Sequence, residues 1–182
     1  MKTLDPLTAG RVHLAGLIEA VERCVYFLNS LVAKVPTPLK AEVLQQRRKD
    51  EVLFETLAAT NERFAKLQDV LSSSFRHAAL LAGEKTDTFL EVLAFFEKAG
   101  VLTSSHDWQR IRLLRNLASH DYETDYPSVA AHFNSVLDAV PVLFGTAGRF
   151  VVWCRAHLEI GPASTDFEAD FDHILASKAD GA

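Results

Sequence analysis

A chain of 182 residues with 19 basic and 24 acidic side chains and a net charge of −5 is the size of one domain. It is too acidic to coat nucleic acid or anionic membrane non-specifically. Hydrophobic residues make up 48% of it, which excludes a disordered tail, and eight glycines and six prolines leave little turn chemistry for a many-stranded β fold.

The segment Met1 to Gly10 contains Asp5 and Pro6 and lacks the charged-then-apolar order of a signal peptide. The longest apolar stretch, Val12 to Val35, is interrupted by Glu19, Glu22 and Arg23, which argues against a membrane span. Cys24 and Cys154 are too few for a disulfide framework and lie in no metal-ligand spacing, so they read as buried small apolar residues. A cytoplasmic location with no membrane partner is the expectation.

Leu14, Leu17, Ile18, Val21, Val25, Leu28, Leu31 and Val32 recur in steps of three and four, the period of one helical face. Pro36 and Pro38 end that helix. A second series, Leu53, Leu57, Phe64, Leu67, Leu71, Phe75, Ala78 and Leu81, follows a polar lead from Lys40 to Asp50. The pair reads as one long helix whose start projects into solvent, unless Asn61 caps a new helix. Thr86 or Asp87 is the expected cap of a third helix bearing Phe89, Leu93 and Phe96, ended by Gly100. Ser104 or Ser105 starts a fourth, with Trp108, Ile111, Leu114 and Ala118 facing inward. Asp125 and Pro127 are a cap and first-turn proline for a fifth, whose face is Val129, Phe133, Val136, Leu137 and Val140 and which Pro141 ends or kinks. A sixth segment, Ala147 to Leu158, carries Val151, Cys154 and Leu158 on one side. Beyond Gly161 the chain is acidic and poorly periodic, and it reads as loose apart from a short helix near Phe171 to Leu175. The expected fold is an all-α antiparallel helical bundle of five to six helices. Residues 1–144 form the bundle, and 145–182 add a helix and a loose tail within the same domain.

The segment Arg110-Ile-Arg112-Leu-Leu-Arg115-Asn116-Leu-Ala-Ser119-His120-Asp-Tyr122 concentrates three arginines, a histidine, an asparagine and a tyrosine in an otherwise acidic protein. Five residues separate Arg115 from His120, which on a regular helix is about 140° of rotation and roughly 7.5 Å of rise. The two converge only if the helix ends between them, and Asp125 with Pro127 shows that the chain turns soon after. Such a set suits attack on a phosphodiester. His120 titrates near neutrality and can take or give a proton. Arg115 offers a planar, permanently charged fork to phosphate oxygens as charge builds in the transition state. Metal-free RNA cleavage needs a base for the 2′-hydroxyl and an acid for the leaving 5′-oxygen. One histidine performs one of these jobs at a time, whereas a two-fold dimer supplies both. No carboxylate or Cys/His cluster has ligand spacing, so neither metal nor cofactor is expected.

The Arg-x4-His-x-Tyr pattern of Arg115, His120 and Tyr122, led in by "KAGVL" and a helix running into "LRNLASHDYETD", resembles the motif of the HEPN superfamily, specifically the HepT-like toxins. It is also similar to the substrate-binding proteins encoded beside minimal nucleotidyltransferases. The likeness is firmest from Asp87 to Tyr126 and extends by helix layout from Leu14 to Phe144. It implies a homodimer whose motif helices line a shared cleft, and a metal-independent endoribonuclease with Arg115 and His120 as catalytic residues. Asn116 would be an auxiliary polar contact. Tyr122 would be the residue that a nucleotidyltransferase antitoxin AMPylates, placing a bulky anion where an RNA phosphate must enter. RNA, not DNA, is the implied substrate, and Arg110 and Arg112 would steer it. Two features depart from compact members of the family: the extension past the fifth helix and the long polar start of the second. Either could shield the cleft or bind a partner. The competing function is a catalytically silent HEPN module that docks a nucleotidyltransferase or its nucleotide; an oligomerisation protein with an accidental motif is a third.

The remaining histidines, His13, His77, His106, His132, His157 and His173, read as structural. Trp108 and Trp153 read as core or interface rather than base-stacking platforms.

Overall fold

Asp5 accepts hydrogen bonds from the backbone N–H groups of Leu7 and Thr8 at 3.0 and 3.1 Å and so starts α1, Pro6–Val32. The computed structural model describes residues 5–117 and 125–179, and all regular structure among them is helical. After α1 come α2 (Ala41–Gln46), α3 (Glu51–Leu81), α4 (Phe89–Lys98), α5 (Ser105–Leu117), α6 (Tyr126–Leu158) and α7 (Glu168–Ala179). The all-α bundle expected from periodicity is present, with seven helices among the described residues. His120 and Tyr122, and the side chain of Asn116, lie outside those residues.

The three long helices form the frame. His77 near the end of α3 meets the Gly10 carbonyl at the start of α1 at 2.9 Å, while Arg63 stacks over Phe27 near the other end, so α1 and α3 run antiparallel. Asn61 faces His132 and Phe75 faces Phe150, so α6 runs parallel to α3. The apolar stripes close the space between them: Leu14, Ile18, Val21, Val25 and Leu28 from α1, Phe64, Leu67, Leu71, Phe75 and Ala78 from α3, and Val136, Val140, Leu143, Phe144, Ala147 and Phe150 from α6 are all buried. By length and composition α6 could cross a membrane, but most of its apolar side chains are spent on this core.

Four boundaries differ from the sequence expectation, each for a local reason. The lead from Lys40 to Asp50 does not project as part of a long helix. Leu39 and Leu44 are buried against Phe133 and Leu137 of α6, and Asn134 clasps the backbone N–H and C=O of Leu39 at 2.8 and 2.9 Å. Asp50 then caps α3 through Leu53 N and pairs with Arg47, which breaks α2 from α3. Asn61 caps nothing; it is buried mid-helix. The α4 cap is Thr88, whose hydroxyl accepts from Glu91 N while the Glu91 carboxylate accepts from Thr88 N, a reciprocal capping box. Pro141 neither ends nor splits its helix: α6 is continuous for 33 residues, so the 144/145 boundary falls inside it. Burial of Leu137, Val140, Leu143 and Phe144 on both sides of the proline offsets the missing backbone hydrogen bond.

The C-terminal segment is not loose. Phe171 and Ile174 of α7 are buried, Phe167 contacts the rings of Tyr26 and Phe27, and Ala163 N donates to the Ala15 carbonyl at 3.0 Å. At Gly148 a Cβ would lie 2.6 Å from Leu175 Cδ1, so α7 sits close upon α6 where a side chain is missing. Arg155 of α6 ties the ends together, 2.7 Å from Glu168 on α7 and 3.7 Å from Glu22 on α1.

Glu22 is fully buried, and its carboxylate oxygens accept no hydrogen bond. Burial pushes its pKa up to about 7; Arg155 opposes the shift, and Glu168, Asp172 and Glu19 add to it. A carboxyl whose folded pKa lies above its unfolded value favours the fold while protonated. Stability therefore falls as pH rises from about 4.5 to about 7, by roughly 3 kcal/mol from this group, and is then level. Glu22→Gln is expected to flatten that decline, as measured by urea unfolding at pH 5, 6, 7 and 8. A slope unchanged in the variant would remove Glu22 as its source.

Candidate functional site

The site is built where α5 crosses α3. Gly100 at φ 74° ends α4, and Ser104 starts α5 by accepting from His106 N and Asp107 N at 3.1 and 3.3 Å. Arg149 of α6 fixes the linker between them, donating to the Val101 carbonyl at 2.8 Å and to the Thr103 hydroxyl at 3.2 Å. Trp108 and Ile111 then anchor one face of α5 in the core. Trp108 packs on Phe75, and Arg115 reaches Asp69, so α5 runs antiparallel to α3 and its last turn lies beside the middle of that helix.

One shallow cleft, of about 130 Å³, follows this crossing. Gln68, Asp69, Ser72 and Arg76 of α3, Phe89 at the start of α4, and Arg112 and Arg115 of α5 line it. Gln68, Ser72 and Arg76 stand at i, i+4 and i+8 and so form one stripe; Arg112 and Arg115 stand at i and i+3. Three guanidinium groups face a single carboxylate. Arg115 Nη2 donates to Asp69 Oδ2 at 2.8 Å, which leaves its other N–H groups free to bind a ligand. Arg76 lies over the Phe89 ring at 4.7 Å, a cation–π contact that holds its guanidinium in place. Gln68 is buried, and its amide oxygen has no hydrogen-bond partner.

Of the residues singled out in the sequence, Arg112 and Arg115 come together here. Arg110 does not: two residues from Arg112, it points to the opposite side of α5, is exposed, and lies 3.6 Å from Asp107. His120 and Tyr122 follow α5 directly in the chain, outside the described residues. Asp69, Gln68, Ser72, Arg76 and Phe89 were missed. For the four on α3 the signal was a polar stripe flanking the apolar series, but nothing in the sequence pairs that stripe with α5.

The other histidines and the tryptophans keep structural company where contacts are seen. His13 packs edge-on against His77, His157 stacks on Trp153, and Trp108 and Trp153 are buried. Cys24 and Cys154 are buried thiols, and burial pushes the Cys154 pKa up to about 12, so it is no nucleophile at neutral pH. No family model, curated protein or solved structure matches this chain.

Proposed function

We propose that the protein is a metal-independent endoribonuclease of the HEPN kind, a toxin restrained by a nucleotidyltransferase partner. The observation that carries this reading is the position of Arg115, tied to Asp69 in a three-arginine cleft one turn before the segment that bears His120. An anion is the ligand such a cleft favours, in a protein whose net charge is −5.

In the proposed reaction His120 removes the 2′-hydroxyl proton and the 2′-oxygen attacks the neighbouring phosphorus. The bond to the 5′-oxygen breaks, and that oxygen takes a proton from the imidazolium of His120 in a second copy of the chain. Arg115 stabilises the charge that gathers on the non-bridging oxygens. The products are a 2′,3′-cyclic phosphate and a 5′-hydroxyl. Asn116 is an auxiliary contact to the same phosphate, and the working unit is a cytoplasmic homodimer. AMPylation of Tyr122, two residues from His120, silences the site by filling it with a like-charged group.

The test is incubation with single-stranded RNA in chelator. Fragments ending in 2′,3′-cyclic phosphate support the reading, as does loss of cutting after treatment with nucleotidyltransferase and ATP in the wild type but not in Tyr122→Phe. Cutting that requires added metal, or products with 3′-hydroxyl ends, would sink it.

A further inference from the structure

The cleft extends past Arg115 along α3. From Asp69 to Arg76 is seven residues, a rise of about 10 Å, which is more than one phosphate group spans. The far end is bounded by Arg76, Phe89 and Arg112. Arg76 and Arg112 make no ion pair with any carboxylate among the described residues, in contrast to Arg47, Arg110, Arg115 and Arg155. Two unneutralised guanidinium groups lining one concavity of an acidic protein are a place for an anion. The Phe89 ring under Arg76 restrains that side chain before any ligand arrives, which lowers the entropy cost of binding.

The exposed Arg76 guanidinium, backed on one face by Phe89, gives a base a flat cationic surface to lie on with the other.

We propose that the notch of Arg76, Phe89 and Arg112 is a nucleotide subsite that holds the phosphate and base next to the scissile linkage of a single-stranded RNA. This assignment rests on the ribonuclease reading only for the identity of the strand. Arg76 and Arg112 bind the flanking phosphate, and Arg115, held by Asp69, addresses the phosphate to be cut.

The probe is a fluorescein-labelled single-stranded 12-mer with 2′-O-methyl riboses, which has no nucleophile and stays intact. Its affinity for the full chain is read by anisotropy across a salt series. Arg76→Gln and Arg112→Gln are each expected to weaken binding roughly fivefold or more and to lower the salt slope by about one. Arg48→Gln, an exposed arginine outside the cleft, is expected to change neither. Both cleft arginines are exposed, so unchanged melting curves show that the variants fold. Wild-type affinity in the double variant Arg76→Gln/Arg112→Gln overturns the subsite, and so does an equal loss in Arg48→Gln. Displacement of the 12-mer by AMP at the same concentration moves the notch to a free mononucleotide and overturns the strand assignment. Binding is read without cleavage, so an inactive wild type with the expected binding pattern refutes the nuclease and leaves the subsite standing.

Discussion

Arg115→Ala is expected to lower the rate of RNA cleavage by about 10²–10³-fold while leaving the fold nearly unchanged. The two effects separate because of where the guanidinium sits. Its ion pair with Asp69 has both side chains partly exposed, 34% and 46%, and a pair of that kind contributes at most about 1 kcal/mol to stability. In the transition state of the proposed reaction the same group would face charge that did not exist in the ground state, where a fixed donor is worth several times more. Arg115→Lys is expected to recover little of the loss, since an ammonium cannot hold Asp69 and a phosphate oxygen together through one planar fork. Cleavage rates on labelled RNA, with melting temperatures alongside, check both halves. An Arg115→Ala protein that cuts at the wild-type rate would leave Arg115 as a surface ion-pair residue.

The largest stability effect is expected at Phe75. Its ring lies 4.9 Å from Phe96, 5.1 Å from Trp108 and 5.1 Å from Phe150, so one side chain of α3 touches α4, α5 and α6 at once. Phe75→Ala removes the common surface of that cluster and should cost about 3–5 kcal/mol. The loss reaches the site as well, because Trp108 is what seats α5 against α3 and thereby brings Arg115 to Asp69. Leu113→Ala is the contrast: its side chain on α5 is exposed, and the change should stay within about 0.5 kcal/mol. Urea unfolding measures both through the midpoint at constant slope. Equal midpoints for the two variants would show that the aromatic cluster does not organise this end of the bundle.

How much of this was legible in the sequence depended on what each feature needed as its signal. The stripes of α1 and α3 were readable because a three-four period is a property of one helix alone: Leu14, Ile18, Val21, Val25 and Leu28, and Leu53, Leu57, Phe64 and Phe75, are buried as the period required. The cap at Thr88 was written in Thr88-Phe-Leu-Glu91 and was displaced by the upstream candidates Thr86 and Asp87. At the start of α7 and within it, Phe167, Phe171, Ile174 and Leu175 keep helical spacing, but Asp166, Glu168, Asp170 and Asp172 around them give the segment the composition of a solvated tail. Pro141 was over-weighted, since its local cost is fixed while the burial that offsets it is tertiary. The site divides along the same line. Arg112 and Arg115 were visible because they belong to one arginine-rich segment, whereas Asp69 and Arg76 acquire meaning only when α5 docks on α3.

In the proposed reaction the segment following α5 cuts RNA through His120. Cleavage of single-stranded RNA in chelator is compared between wild-type protein and His120→Ala, each first shown to have the same oligomeric state. Cutting by the wild type that is abolished in His120→Ala is the predicted result. Equal cutting by both proteins would contradict it.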